Sequence, residues 1–282
     1  MKERWFSEAL HYGFRQSLLV DEVLFEGRTN FQDALIFQNS QFGKVLILDG
    51  IIQTTERDEF CYHEMLVHVP IIARGSVERV LIIGGGDGGA LREAVKHPNA
   101  KITMIELDEK VVKICKQFMP GLSAGSFENE RTEIKFMNGV KFVQETVQKF
   151  DVIIVDSTDP VGPGLALFSH DFYKACANCL TEQGILVTQS GVTFLQEEGI
   201  RNSFKQMDKI FRDKTIYITQ VPTYSGGFMA FGWGSHSPRA RKTQIAKIKQ
   251  RIKVLKLNTK YYSAKTHIAS FKVPPYLQAL KN

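Results

Sequence analysis

The chain has 282 residues, 43 % hydrophobic and 23 % charged, an ordinary globular composition that excludes a disordered, collagen-like or coiled-coil protein. At roughly 150 residues per domain the length predicts about two domains, and no apolar run approaches the ~18–20 residues of a membrane span. The formal charge is +6, but twelve Lys and Arg and no Asp or Glu lie between His236 and Asn282, leaving the preceding residues acidic with 24 basic against 30 acidic side chains.

From the amino terminus, MKERWFSEALHYG has no apolar signal core, so a soluble, cytoplasmic protein is expected. The stretches LLVDEVLFEGRTN, FQDALIFQN and GKVLILDGIIQTTE alternate apolar with polar residues and are punctuated by Gly27, Asn39, Gly43 and Asp49-Gly50. They predict a small antiparallel β domain over residues 1–65. From about Met65 short buried runs alternate with helical segments: VERVLIIG, ALREAVKH, ITMIELD, EKVVKICKQFM, EIKFMN, GVKFVQETVQ, FDVIIVD, HDFYKACANCL and GILVTQS. That order predicts an α/β domain over 66–282, a Rossmann-like, doubly wound and mostly parallel sheet with helices on both faces.

Within it, Gly84-Gly85-Gly86-Asp87-Gly88-Gly89 follows an apolar strand and opens a helix, and Glu106 lies 20 residues beyond Gly86. Gly84, Gly86 and Gly89 fit the G-x-G-x-x-G spacing, in which glycines permit a tight turn and close ligand approach while the later carboxylate holds ribose hydroxyls. This predicts a nucleoside site. Asp87 would repel a pyrophosphate at the helix start, so a positively charged sulfonium of the S-adenosylmethionine type is favoured over a dinucleotide. The strand FDVIIVD ends in Asp156 and runs into a loop with Asp159, Pro160 and Pro163, which should face the same crevice.

The order LDGIIQTTERDEFCYHEML, VLIIGGGDGG, IELD, VDSTDPVGP and VPTYSGGFMAFGW resembles the spermidine synthases, the polyamine aminopropyltransferases, and the likeness runs from WFSEAL to the terminal PPYLQ. The resemblance implies a β domain before a methyltransferase-like Rossmann domain, assembled as a homodimer or homotetramer largely through the β domains. It implies transfer of an aminopropyl group from decarboxylated S-adenosylmethionine, a co-substrate, to putrescine, giving spermidine and 5'-methylthioadenosine, with no cofactor and no metal. Gln32, Glu106, Asn138, Gly139 and Pro163, with Gly84 and Gly86 of the glycine turn, would contact the nucleoside. Tyr62, His63, Asp87, Asp156, Asp159 and Tyr224 would contact the aminopropyl chain and the diamine, Asp156 as proton acceptor. The family usually has aspartate where this chain has Asn138, whose oxygen can accept from an adenine amino group but brings no charge.

The chemistry agrees. Displacement beside a sulfonium releases a neutral thioether and needs no acid, whereas an ammonium of pKa near 10 must lose a proton, at about 4 kcal/mol at pH 7. A positioned carboxylate can take it, and Tyr62 is a candidate to orient Asp156. A methyltransferase using intact S-adenosylmethionine is the alternative on the same fold.

Other features take plainer readings. Cys176 and Cys179 sit in a predicted helix with no second pair, and all four cysteines are expected to be free thiols. His11, His68, His97, His170, His236 and His267 are dispersed and given no role. Phe228, Phe231 and Trp233 predict a core strand. Residues 239–256 interleave basic side chains with Ile245, Ile248, Ile252, Val254 and Leu255, which predicts a surface helix with a solvated basic face. A nucleic-acid partner for that region fits poorly with an acidic cleft.

Overall fold

The computed structural model describes residues 3–158 and 162–280, with Gly162 and Pro163 described in backbone only. The alternating amino-terminal stretches fold into two antiparallel sheets. β1 (Arg4–His11) and β2 (Phe14–Val20) form a hairpin. β3 (Glu22–Arg28), β4 (Asp33–Asn39), β5 (Gly43–Leu48) and β6 (Ile51–Thr55) form a four-stranded meander in that order. Asp49 and Gly50, at φ 47° and 76°, supply the left-handed pair that a two-residue hairpin turn requires between β5 and β6.

Helix α1 (Phe60–Arg74) then spans residue 65, so residues 60–65, read from the sequence as strand and turn, are helical. Every residue from Cys61 to Ala73 is buried, which leaves no polar stripe to reveal a helical period. Pro70 inside the helix is a breaking signal as well.

Beyond α1 come β7 (Arg79–Gly84), α2 (Gly89–Val95), β8 (Lys101–Glu106), α3 (Glu109–Phe118), the short α4 (Pro120–Ser123), β9 (Thr132–Phe136), α5 (Gly139–Glu145) and β10 (Phe150–Asp156). They are followed by α6 (His170–Cys179), β11 (Leu180–Val192), α7 (Glu197–Gln206), β12 (Asp213–Thr219) and β13 (Met229–Ser235). The seven strands order as β12-β13-β11-β10-β7-β8-β9. The run from β11 to β9 is parallel, and β13 joins β11 antiparallel. The fold is thus a mostly parallel Rossmann-like sheet preceded by a small antiparallel one.

Successive residues of a strand face opposite ways, and here both faces are covered, which explains the unbroken apolar runs. Val80, Ile82, Val152 and Ile154 pack with Leu66, Ala90 and Leu91 of α1 and α2. Leu81, Ile83, Ile153 and Val155 pack with Phe142, Phe172 and Tyr173 of α5 and α6. Phe231 and Trp233 are fully buried in β13, but Phe228 precedes the strand and is 37 % exposed, so it is not part of the core run expected from the sequence.

The basic region forms α8 (Ile245–Leu255), followed by α9 (Ala264–Ser270) and α10 (Pro275–Ala279). Not all of its charge is solvated. The Arg251 guanidinium donates to the Ile72 and Ala73 carbonyls at the end of α1, and Arg241 pairs with Asp213. All four cysteines are buried free thiols, and no helix among the described residues is long and apolar enough to cross a membrane.

Gly84 is the tightest joint in this frame: it sits at φ 85°, and a Cβ there would lie 2.1 Å from the Asp156 carbonyl oxygen. We predict that Gly84→Ala destabilises the protein by about 2–4 kcal/mol, from left-handed strain and overpacking together. Gly125→Ala, also at positive φ but in open space, should cost only about 1 kcal/mol. Denaturant melts of both variants check this, and equal losses would refute the role of the close approach.

Candidate active site

The carboxyl ends of the parallel strands converge on one cleft of about 240 Å³. β7 ends in the glycine turn, where Gly84, Gly85 and Gly88 all have positive φ and the Gly85 N–H donates to the Asp156 carbonyl at 2.9 Å. This bond ties the turn to the end of β10. Asp87 Oδ1 accepts from the Gly89 N–H at 2.7 Å, so the residue fixes the start of α2 as well as facing the cleft. At the end of β8, Glu106 Oε1 accepts from the Asp108 N–H at 2.9 Å. Asp108 caps α3 and receives Gln32 Nε2 at 3.4 Å, which reaches across from the small β domain.

α1 supplies the opposite wall. The Tyr62 hydroxyl donates to Asp156 Oδ1 at 2.8 Å, and the ring meets Tyr224 edge-on with centroids 5.9 Å apart. The Tyr224 hydroxyl donates in turn to the Gln53 carbonyl. Buried Asp58 holds this loop by accepting from the Thr223 N–H and hydroxyl at 2.8 and 2.7 Å. His63 stands between two carboxylates, with Nδ1 2.7 Å from Glu59 and Nε2 3.4 Å from Asp87.

These contacts separate the acids. Burial pushes the Glu106 carboxyl up to about 7, against the Asp108 and Leu107 N–H groups. Burial also pushes Asp156 up to about 6; His63 and the Tyr62 hydroxyl pull it down and Asp87 pushes it up. Asp87 is buried too, yet the His63 ring holds it below its usual range. Burial works against a charged His63, but Asp87 and Glu59 together push it well above the ordinary imidazole value.

The ligand atoms of His63, Asp87 and Asp156 lie within 4.8 Å of one another, compact enough to surround one cationic head group. Both nitrogens of His63 already face carboxylates, so the ring offers no lone pair to a metal ion. The two carboxylates suit an ammonium, with His63 as the counter-charge of Asp87.

Of the residues singled out in the sequence, Gln32, Tyr62, His63, Gly84, Gly86, Asp87, Glu106, Asn138, Gly139, Asp156 and Tyr224 all line this cleft. Asp159 lies outside the described residues. Pro163 falls in a 3₁₀ segment, Gly162–Phe168, of which Gly164 and Leu167 line the cleft. Asn138 differs from expectation in one respect: its Oδ1 accepts from the Val140 and Lys141 N–H groups and caps α5, so an adenine amino group would have to share that oxygen. Sequence reasoning missed Asp58 and Glu59, whose signal was only their place just before Tyr62-His63. It also missed that His68 and His97, 3.0 Å apart, form a buried polar cluster with Glu93.

With this geometry in place, the kinship of the chain can be read. Residues 59–244 match the spermine/spermidine synthase domain, and residues 4–56 match the spermidine synthase tetramerisation domain. The chain is 48 % identical over 283 residues to the polyamine aminopropyltransferase of Pectobacterium carotovorum, covering 100 % of this chain and 98 % of the relative. It is 49 % identical over 277 residues to polyamine aminopropyltransferase 1 of Pseudomonas aeruginosa, covering 98 % and 97 %. Two solved structures superpose closely. One is a spermidine synthase in complex with the transition-state analogue AdoDATO, with TM-score 0.93, 32 % identity and coverage of 99 % and 96 %. The other is the spermidine synthase of Thermotoga maritima, with TM-score 0.90, 31 % identity and coverage of 99 % and 95 %. The chain belongs to the spermine/spermidine synthase family of polyamine aminopropyltransferases.

Glu106 generates a pH prediction. If Glu106 accepts two ribose hydroxyls, as expected from the sequence, it does so best when ionised, and burial pushes its carboxyl up to about 7. Affinity for 5'-methylthioadenosine should therefore rise as pH increases through 7 and fall toward about tenfold per unit below it. Calorimetric titrations from pH 5.5 to 8.5 check this. Glu106→Gln should bind more weakly with a flat profile; an equally steep profile in that variant would assign the titration elsewhere.

Proposed function

We propose that this aminopropyltransferase joins the aminopropyl group of decarboxylated S-adenosylmethionine to putrescine, forming spermidine and 5'-methylthioadenosine, with Asp156 as proton acceptor. The observation that carries the reading is the split between two neighbouring carboxyls. His63 stands 3.4 Å from Asp87 and holds its carboxyl below the usual range, while burial pushes Asp156, which accepts from the Tyr62 hydroxyl at 2.8 Å, up to about 6, the pairing expected of an anchor and a base.

Glu106, with Gln32, Asn138, Gly139, Pro163 and the glycines of the turn, holds the nucleoside and presents the methylene carbon next to sulfur. Asp87, Tyr62 and Tyr224 hold the amines, His63 contributes through Asp87, which it faces at 3.4 Å, and Asp159 belongs with them in this reading. The putrescine nitrogen attacks that methylene carbon, the carbon–sulfur bond breaks and its electrons stay on sulfur, which becomes a neutral thioether. The proton lost by the nitrogen goes to Asp156 Oδ2, since Oδ1 already accepts from Tyr62. Above about pH 6 the base is ionised and ready, and holding amine and carbon in line supplies the proximity that the solution reaction lacks.

In this reading the first domain, proposed over 1–65, serves assembly and lends Gln32, Tyr62 and His63 to the cleft, the second, over 66–282, carries the rest of the catalytic site, and α1 spans the division. A homodimer or homotetramer is supported by the tetramerisation-domain match over 4–56 and by Trp5, 55 % exposed, and Phe14, 40 % exposed, on the first hairpin. Four free buried cysteines suit the reducing cytoplasm, where both substrates would be drawn from the soluble pool. The methyltransferase alternative is not favoured, because the relatives and structural neighbours cited carry aminopropyltransferase or spermidine synthase names.

Incubation with decarboxylated S-adenosylmethionine and a panel of diamines, followed by mass spectrometry, tests the reaction. Stoichiometric spermidine and methylthioadenosine from putrescine are expected. Asp156→Asn should keep nucleoside binding and lose about 10²–10⁴-fold in turnover; near-normal turnover would remove Asp156 from the role. Light scattering of the intact enzyme separates dimer from tetramer.

A further inference from the structure

Behind the cleft, charged side chains of α1 and α2 stand in file. The His63 ring is 2 % exposed, and its two nitrogens face Glu59 Oε2 at 2.7 Å and Asp87 Oδ2 at 3.4 Å. Two carboxylates can both be satisfied by one imidazole only when both ring nitrogens carry protons. Glu59 is itself clamped. Its Oε2 accepts from Arg92 Nη2 at 2.8 Å, while Arg92 gives Nε to Glu93 and Nη1 to the Leu122 carbonyl, each at 2.8 Å.

The ring has little freedom to turn. A Cβ on Gly89 would lie 2.3 Å from His63 Cε1, so the backbone of α2 is pressed against one side, and the Tyr62 ring stands edge-on with its centroid 5.2 Å away. The ionisable groups facing His63 are therefore Tyr62 from its own helix, Glu59 at the cap just before that helix, Asp87 from the glycine turn, Asp156 from β10 and, behind Glu59, Arg92 from α2.

We propose that Glu59 is a positioning residue for aminopropyl transfer: clamped by Arg92, it keeps the His63 ring doubly protonated and turned to Asp87. Asp87 thereby becomes the permanent anion of the cleft, and Asp156, whose hydrogen-bond partner is Tyr62, is left to exchange the proton. This second step rests on Asp156 being the acceptor. Two carboxylates at this spacing would otherwise share one proton between them. The imidazolium breaks that symmetry, and Glu59 is what holds the imidazolium in a buried place.

Glu59→Gln keeps the side-chain shape and an oxygen for Arg92 but removes the charge. Nitrogen-15 NMR of histidine-labelled enzyme at pH 8, with the ring signal assigned by its loss in His63→Gln, reads the protonation directly. Wild type should show two protonated ring nitrogens at His63, and Glu59→Gln a neutral ring. In kcat/KM for putrescine at saturating donor, the acid limb of Glu59→Gln should move up by about one pH unit, with Glu59→Asp returning it toward wild type. A purely structural loss would lower the whole profile without moving the limb.

A neutral His63 in the wild type at pH 8 would overturn the proposal even if Glu59→Gln failed to fold. So would a folded Glu59→Gln that kept its imidazolium or left the limb in place. Near-normal turnover in Asp156→Asn would overturn the assignment of Asp156, and the ring signal would still decide separately whether Glu59 holds the charge of His63.

Discussion

Carboxyl groups gathered in a partly desolvated cleft are the constraint on which the rest of this structure turns. Asp87, Glu106 and Asp156 stand at or just beyond the ends of β7, β8 and β10, and among the described residues His63 is the cation placed directly against one of them. Desolvating carboxylates is unfavourable unless each finds hydrogen bonds or a counter-charge. Part of that cost is offset by backbone N–H groups, from Gly89 to Asp87 and from Asp108 to Glu106, and by the Tyr62 hydroxyl on Asp156. The remainder is the burial that pushes the Glu106 and Asp156 carboxyls up to about 7 and about 6. A ligand carrying a sulfonium and ammonium groups supplies the missing positive charge, so substrate binding relieves a strain that folding creates.

The scaffold holds this arrangement through one short segment of α1 and its approach. Consecutive helical residues point about 100° apart, so Tyr62 and His63 reach different acids, Asp156 and Asp87, from adjacent positions. One turn earlier Glu59 reaches back to His63, and just before it Asp58 fastens the loop that carries Tyr224. Packing of α1 against α2 and the sheet therefore sets the surroundings of Asp156, Asp87 and the Tyr224 loop together. A shift of this helix would disturb all three, which gives a physical reason for burying it on every side.

Much of the fold and the site was legible in the sequence for identifiable reasons. The glycine run, the acid at the end of the next strand and the aspartate at the end of FDVIIVD are local patterns, and strand topology brings them together without further information. Helix α1 was not legible from Phe60 to Met65, because burial on all faces erases the helical period and Pro70 argues against it. The His68–His97–Glu93 cluster was hidden for another reason: His68 is 25 and 29 residues from Glu93 and His97, and only the packing of α1 on α2 makes them neighbours. The basic carboxy-terminal segment was read as a helix over 239–256, of which 245–255 is helical, and the inward turn of Arg251 onto the end of α1 depends on where α8 docks.

The same electrostatics bears on the choice of donor. Intact S-adenosylmethionine differs from its decarboxylated form by an α-carboxylate on the very arm that must be transferred. In this cleft that group would enter beside Asp87, which His63 and the Gly89 N–H hold ionised, and near Asp156 as well. Like charges a few ångströms apart in a partly desolvated site repel strongly, and His63, which stands against Asp87, is already committed to Glu59 and Asp87. The decarboxylated donor brings only positive charge to the same place. If Asp87 faces the transferred arm, a charged Asp87 would favour the decarboxylated donor on electrostatic grounds, and a cleft in which Asp87 could take up a proton would lose part of that preference.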